Sequence, residues 1–212
     1  MQIFRQSLKF LLLLFLFACN NKKETSSTQN ESNKKDSNTV INNETAPNPY
    51  DAIDVSPMDM SYYPADYPKL KMTNSINVPP VIRVIYSRPH LQGRRLFHDL
   101  LKYGEPWRLG ANEATEIQFY RDVSIQNKKI SAGRYILYCI PQEEKWTIVL
   151  NNNIDTWGLK IDSTKDLQKF TIPITRNNPL LEYFTLVFEK TDSGAEMLMA
   201  WDDIVAKLPI NF

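Results

Sequence analysis

The 212-residue chain is poor in several residue types on which common functional sites depend. It has six glycines, and none of them forms a G-x-G-x-x-G or P-loop pattern that would cradle phosphates. Two cysteines exclude a disulfide-rich scaffold and a four-cysteine zinc site. Lysine plus arginine number 25 and aspartate plus glutamate 24, so the formal net charge is +1. This balance lacks the basic excess of nucleic-acid-binding domains, and we expect no nucleic-acid partner.

Histidine is also scarce, which limits metal and acid–base chemistry. His90 and His98, with Asp99 and Glu113, could in principle hold a metal ion, but the eight-residue gap between the histidines is not a recognised ligand spacing. The sequence has no G-x-S-x-G nucleophile elbow, and it does not fix the distance between any two carboxylates. We therefore expect no metal and no cofactor, assign no catalytic residue, and lean towards a non-enzymatic role.

The first nineteen residues have the pattern of a targeting segment. Arg5 and Lys9 precede the apolar run Phe10–Ala18, which is far shorter than the roughly 20 residues that span a bilayer. Ala18 followed by Cys19 resembles the lipobox of bacterial lipoproteins. The resemblance implies that residues 1–18 are a signal peptide and that Cys19 is lipidated. The alternative is a plain signal peptide with an incidental cysteine.

Residues 19–50 combine this cysteine with a polar linker. The stretch Asn20–Tyr50 holds eight asparagines and eight serines or threonines among 31 residues, too little apolar surface to offset the entropy of folding. We expect a disordered tether whose partner is the membrane, reached through the lipid. No acidic run follows Cys19 directly. We therefore expect an outer-membrane lipoprotein that faces the periplasm.

Residues 51–78 contain the segment SPMDMSYYPADYP, with three tyrosines among three prolines. The prolines argue against a helix or a central strand, and the tyrosines are too apolar for a free linker. We interpret the segment as an extended arm packed along the domain. The alternative is an aromatic strip that recognises a sugar or a peptide.

Residues 79–212 carry a β pattern. Short runs such as Val81–Tyr86, Thr115–Phe119 and Tyr135–Ile140 are bounded by turns and recur at nearly regular spacing. They predict an all-β fold, a single antiparallel β-sandwich or barrel-like domain of about eight strands. Cys139 lies inside one run and is expected to be buried. The spacing of leucines over 96–101 indicates a short helix or a packed loop.

The stretch Ser87–Thr115 concentrates arginines, glycines and polar residues between the first two strands. Loops of this kind carry function in many domains. The candidate ligand-binding residues are Arg88, Arg94, Trp107, Arg108, Asn112, Glu113, Thr115 and, further along the chain, Trp157. A structural alternative pairs Arg108 with Glu113 across a turn and uses Trp107 to plug the end of the sandwich.

Several segments together resemble domain-of-unknown-function family 2911. They are YSRPHLQGRRLF, YGEPWRLGANEAT, ISAGRYILYCIP, EKWTIVLN, DTWG and the terminal AWDD with LPI. The resemblance covers about Pro79 to Ile210. It implies an all-β domain, often in exported or lipid-anchored bacterial proteins, and it implies no established reaction.

Three hypotheses on function follow. The first is a lipid-tethered binding module of the cell envelope for a carbohydrate, a peptide or a small anion. The second is an envelope hydrolase that uses Glu113 as its acid or base. The third is a structural accessory lipoprotein whose loops serve folding only. An exposed aromatic and arginine surface without a poised acid favours the first hypothesis.

Overall fold

The computed structural model describes residues 54–212 of the chain. The predicted signal peptide, Cys19 and the predicted tether lie outside the described residues. Among residues 54–212, no helix has the length and apolar character needed to cross a bilayer.

The domain is all-β and barrel-like, as the sequence predicts, but it has eleven strands rather than about eight. Two of the additional strands are β1, which lies in the arm, and the three-residue β5. The strands are β1 Met58–Tyr63, β2 Ile82–Ser87, β3 Thr115–Phe119, β4 Val123–Ile125, β5 Lys128–Ile130, β6 Gly133–Pro141, β7 Lys145–Asn151, β8 Asp166–Thr175, β9 Leu181–Thr191, β10 Gly194–Asp202 and β11 Ile204–Asn211. A helical turn at Leu96–Leu100 confirms the helical spacing there.

The strands pair antiparallel in the order β1-β2-β3-β6-β7-β8-β11-β10-β9, and β4 joins β11 to β5. Strand β8 links the two parts of the sheet, because it pairs with β7 and then with β11. Its first part pairs with β7, whereas Ile174 and Thr175 pair with Ala206 and Val205 of β11. The sheet thereby curls into a nearly closed barrel whose inner face forms the core.

Aromatic side chains dominate that core. Trp146, Trp201, Phe170 and Phe184 are almost completely buried, because the alternation along each strand turns them inward. Cys139 is buried as predicted, and burial raises the pKa of its thiol well above its usual range. Burial and a raised pKa make this thiol a packing group and not a nucleophile.

The arm packs on the domain as an edge strand. All six residues of β1 pair with β2, from Met58 with Ser87 to Tyr63 with Ile82. The expectation that the prolines exclude a helix is wrong, because the helix α1 spans Tyr67–Met72 with a proline in its first turn. Proline is tolerated there because the first N–H groups of a helix have no partner within the helix.

The side chain of Tyr86 in β2 bridges the two end strands of the sheet, β1 and β9. The Tyr86 hydroxyl donates to Asp59 Oδ2 of β1 at 3.3 Å and accepts from the backbone N–H of Leu186 in β9 at 3.1 Å. Burial raises the pKa of Tyr86 to about 12, so its hydroxyl keeps its proton at neutral pH. The phenol thus takes the place of a missing strand-to-strand hydrogen bond.

Arg88 completes this connection, and we call Asp59, Tyr86 and Arg88 the seam clasp. The Arg88 Nη1 lies 3.3 Å from Asp59 Oδ2, and Nε donates to the carbonyl of Phe184 at 3.2 Å. Its Nη2 donates to Thr185 Oγ1 at 2.9 Å. One guanidinium therefore joins β1 to two residues of β9.

We predict that Tyr86→Phe lowers the free energy of unfolding by about 1–3 kcal/mol, because the buried N–H of Leu186 loses its acceptor. Urea unfolding at pH 8 measures this. Tyr103→Phe is the matched control, since its hydroxyl bonds Arg176 at the surface and its loss should change little.

Wild type and Tyr86→Phe also allow a test of the pH dependence of stability. The ordinary pKa of tyrosine is 10.0 and that of Tyr86 in the folded protein is about 12. Between these two pH values the folded protein keeps a proton that the unfolded chain has lost. This stabilisation is complete below pH 10 and is lost as the pH rises through about 12. The stability difference between wild type and Tyr86→Phe should therefore shrink over that window. A difference that stays constant would contradict the assigned burial of Tyr86.

Candidate functional site

A cleft of about 670 Å³ opens on the outer face of β2, β3 and β6, and we call it the outer cleft. Met58 of β1 contributes one wall. The residues from Asp155 to Trp157, in the connection between β7 and β8, contribute another. Glu113 and Ala114, just before β3, complete the lining at one end. The cleft is therefore built from the paired strands of the barrel and from two segments that flank them.

Strand register brings the polar floor of the cleft together. Arg83 of β2 pairs with Gln118 of β3, which in turn pairs with Arg134 of β6. Glu116 lies two residues from Gln118, so it shares the same outward face. Residues between these positions, such as Ile117, face the core.

Arg134 is the centre of the polar network. Its Nε donates to Glu116 Oε1 at 3.0 Å, and its Nη2 donates both to Glu116 Oε2 and to Asp155 Oδ1, the latter at 3.0 Å. The hydrogen bonds that Arg134 donates to Glu116 and then to Asp155 hold its pKa above the usual range. Asp155 adopts a positive φ of 58°, and its carboxylate fastens the segment around it to the sheet.

Arg83 is the second cation of the floor. Its Nη2 donates to Gln118 Oε1 at 2.7 Å, while its buried Nε has no partner among the described residues. The charged lining comprises Arg83 and Arg134 against Glu113, Glu116 and Asp155. The carboxylates thus exceed the guanidinium groups by one, and the cleft has no excess of positive charge.

Trp157 stands at the cleft with 53% of its surface exposed. The other three of the four tryptophans, Trp107, Trp146 and Trp201, are buried. The backbone next to Trp157 explains its position. Gly158 has a φ of +76°, and a Cβ there would lie 2.8 Å from the Cβ of Ala114, so only glycine allows this close approach.

A buried polar cluster anchors both ends of the connection between β7 and β8 to the barrel. We call this connection, residues 152–165, the Trp157 segment. The Tyr138 hydroxyl donates to Asp166 Oδ2 at 2.8 Å, and Asn151 Nδ2 donates to Asp166 Oδ1 at 2.8 Å and to the carbonyl of Asp162 at 2.9 Å. Burial and the hydrogen bond to Asp166 raise the pKa of Tyr138 above its usual range. This cluster fixes the connection between β7 and β8 over the outer face of β6.

The structure brings two of the predicted site residues, Glu113 and Trp157, into the outer cleft. Asn112 lies next to them, and its Nδ2 donates to Asp54 Oδ2 and, at 3.0 Å, to the carbonyl of Ser56. Asn112 therefore fastens the beginning of the arm beside the cleft.

Four other candidates have structural contacts elsewhere. Trp107 is in the core, as the structural alternative expected, and its ring lies 5.6 Å from Trp201. Thr115 is buried and donates to a backbone carbonyl at 2.6 Å. Arg88 belongs to the seam clasp. Arg94 donates to the carbonyls of its own loop, at 2.8 and 3.0 Å, and lines a separate depression next to Leu96–Leu100.

Arg108 forms no ion pair or side-chain hydrogen bond within residues 54–212, so the alternative pairing with Glu113 is absent. Its Nε is buried and has no partner in the described part of the chain, and burial lowers the pKa of its guanidinium. It borders a void of about 10 Å³ beneath the Trp157 segment, together with Tyr138 and Asn151. Arg108 is therefore separated from the open part of the cleft.

Sequence reasoning missed the floor of the cleft. Glu116 and Gln118 carry a signal, because they are the polar positions of the alternating strand β3. Arg134 and Asp155 lie in the family-like segments ISAGRYILYCIP and DTWG, but the sequence does not indicate that they meet, since only the register of β3 against β6 and the path of the connection between β7 and β8 bring them together.

These observations define the class of protein. It is a barrel-like antiparallel domain with a polar cleft on its outer face. Residues 68–210 match the family described as "Protein of unknown function (DUF2911)". The match covers more than half of the chain, so the protein belongs to this family, and the resemblance seen in the sequence is confirmed. No curated protein and no solved structure matches the chain.

We predict that Arg108→Met leaves the melting temperature unchanged or raises it. The substitution removes a partly buried charge that has no partner and keeps most of the side-chain volume. Differential scanning calorimetry measures this, and Arg88→Met is the control that should lower the melting temperature by breaking the seam clasp. A marked drop for Arg108→Met would contradict the unpaired state of Arg108.

Proposed function

We propose that the protein binds a neutral carbohydrate in the outer cleft, as a lipid-tethered module of the bacterial cell envelope. The observation that carries the proposal is the exposed Trp157 beside the network of Arg134, Glu116 and Asp155. The tether and the envelope location rest on the targeting pattern around Cys19 and on the polar linker after it.

The chemistry of the cleft suits a sugar ring. A sugar presents hydroxyl groups that both donate and accept, and C–H faces that are apolar. Arg83 and Arg134 supply donors, whereas Glu113, Glu116 and Asp155 supply acceptors. The Trp157 indole offers a flat apolar face with a polar edge, which is suited to recognition in contact with water.

The charge distribution favours a neutral ligand over a small anion. Both carboxylates that Arg134 binds compensate its positive charge. Glu113 is exposed in the same cleft and would repel an anion. An anion site would need guanidinium groups without such competing carboxylates.

The floor of the cleft also argues against a peptide bound as an added strand. That mode needs an open sheet edge with free backbone groups. The strands β2 and β3 are paired on both sides at this position, and β6 is paired with β3 there and with β7 from Ile136 onward. Recognition in the outer cleft therefore depends on side chains.

Binding is also favoured over hydrolysis. Glu113 makes no side-chain hydrogen bond or ion pair among the described residues, so it is the free carboxylate of the cleft. Glu116 and Asp155 are both held by Arg134. Glycoside hydrolysis uses two carboxyl groups across the scissile bond, whereas the other two carboxylates of this cleft share the guanidinium of Arg134.

We predict that an array of neutral and anionic glycans identifies neutral ligands. Trp157→Ala should weaken their binding tenfold or more, since loss of a central aromatic contact costs on the order of 1.4 kcal/mol or above. Calorimetric titration measures the change. Leu159→Ala is the matched control, because Leu159 is exposed two residues away and does not line the cleft.

Two outcomes would contradict this proposal. One is an array that identifies only anionic ligands. The other is a neutral ligand whose affinity is the same for wild type, Trp157→Ala and Arg134→Gln. Glu113→Gln separates binding from catalysis, because it should keep the ligand bound, whereas a hydrolase would lose turnover of that ligand.

A further inference from the structure

We propose that the two segments flanking the outer cleft form a surface that rests on the lipid bilayer. We call this surface the apolar rim. It consists of Met58 and Met60 on one side and Ile154, Trp157 and Leu159 on the other. The inference goes beyond sugar binding, and it rests on the lipid anchor included in the proposed function.

The rim is a concentration of exposed apolar side chains. Thirteen large hydrophobic residues are exposed within residues 54–212, and five of them lie in the two short segments 58–60 and 154–159. Single exposed apolar residues are normal, whereas a cluster marks a contact with a membrane or a partner. The clustering on both sides of one cleft therefore favours contact of the rim with an apolar surface.

The geometry of β1 places its apolar residues on one face. Met58 and Met60 are two residues apart on a strand, so both project to the outer face. Met58 lines the cleft directly, and Met60 pairs with Ile85, which also lines it. Met58 Sδ accepts a hydrogen bond from Ser87 Oγ at 2.9 Å, yet Met58 and Met60 remain 46% and 53% exposed.

The opposite side of the rim is held away from the barrel. Asp155 is fixed by Arg134, and Gly158 packs on Ala114, so the residues between and beside them cannot fold inward. Leu159 is 72% exposed as a result. Trp157 belongs to the residue type that concentrates at the interface between lipid and water.

The entry point of the chain supports the bilayer as the occupant. Asp54, the first described residue, is bound by Asn112 at the edge of the cleft. The predicted tether therefore joins the domain on the side that carries the rim. A flexible tether of about thirty residues reaches on the order of 30 Å, so the anchor would keep the rim near the bilayer. The cleft between the two sides of the rim has no excess of positive charge, so contact with the bilayer does not depend on anionic headgroups.

The test uses the full chain purified from cell membranes and reconstituted into phosphatidylcholine vesicles, with and without dibrominated acyl chains. Bromine quenches only nearby indoles, and the other three tryptophans are buried. We expect brominated lipid to lower the tryptophan emission. Trp157→Phe should abolish the difference, and Leu159→Asp and Met60→Asp should reduce it strongly. Leu180→Asp, an equally exposed leucine outside the rim, should leave it unchanged.

Each contrary result has a defined meaning. A chain that floats with the vesicles but shows no quenching would overturn the membrane-facing rim and leave the anchor intact. A chain that does not float would overturn both. Equal effects of Leu180→Asp and Leu159→Asp would show unspecific adsorption and also overturn the inference. Sugar binding is measured without vesicles. A failure of the proposed sugar binding is therefore distinguished from a failure of the membrane-facing rim.

Discussion

The seam clasp is the interaction on which the rest of the structure depends. The curled sheet ends in β1 and β9, and their facing backbone groups cannot all be satisfied by neighbouring strands. Tyr86 of β2 and Arg88, which follows β2, reach across to β9 and bind the N–H of Leu186 and the carbonyl of Phe184 with side-chain atoms. The Asp59 carboxylate accepts hydrogen bonds from both Tyr86 and Arg88 and so keeps β1 in place. Unpaired buried backbone groups are costly, so this connection is a condition for closing the barrel.

The position of β1 in turn defines the outer cleft. Because β1 continues the sheet beyond β2, Met58 stands above the polar floor and not in the core. Arg134 plays the corresponding part on the other side, where it ties Asp155 and hence Trp157 to β6. The two walls are therefore held by one arginine each, and both arginines satisfy their charge on carboxylates of the protein itself. A cleft built in this way presents polarity without an excess of positive charge.

Much of the fold could be predicted from local patterns, and much of the site could not. Alternation along β3 and the apolar run in β6 indicate strands because burial repeats every second residue. The prediction that prolines exclude a helix in the arm was wrong at Pro68, since proline is unfavourable inside a helix but not in its first turn. Arg88 stood out in the sequence for its chemistry, yet its contacts are those of a structural residue. Arg134 and Asp155 are 21 positions apart, and only the folded path of the chain brings them together.

The central claim is that the outer cleft recognises neutral polar ligands through Trp157. Its most direct test is a heteronuclear NMR titration that follows the four indole N–H signals of the protein. Neutral saccharides should shift the signal of Trp157 and leave those of Trp107, Trp146 and Trp201 unchanged, while sodium phosphate should shift none of them. A shift of the Trp157 signal by phosphate, or no shift with any neutral saccharide tested, would contradict the account.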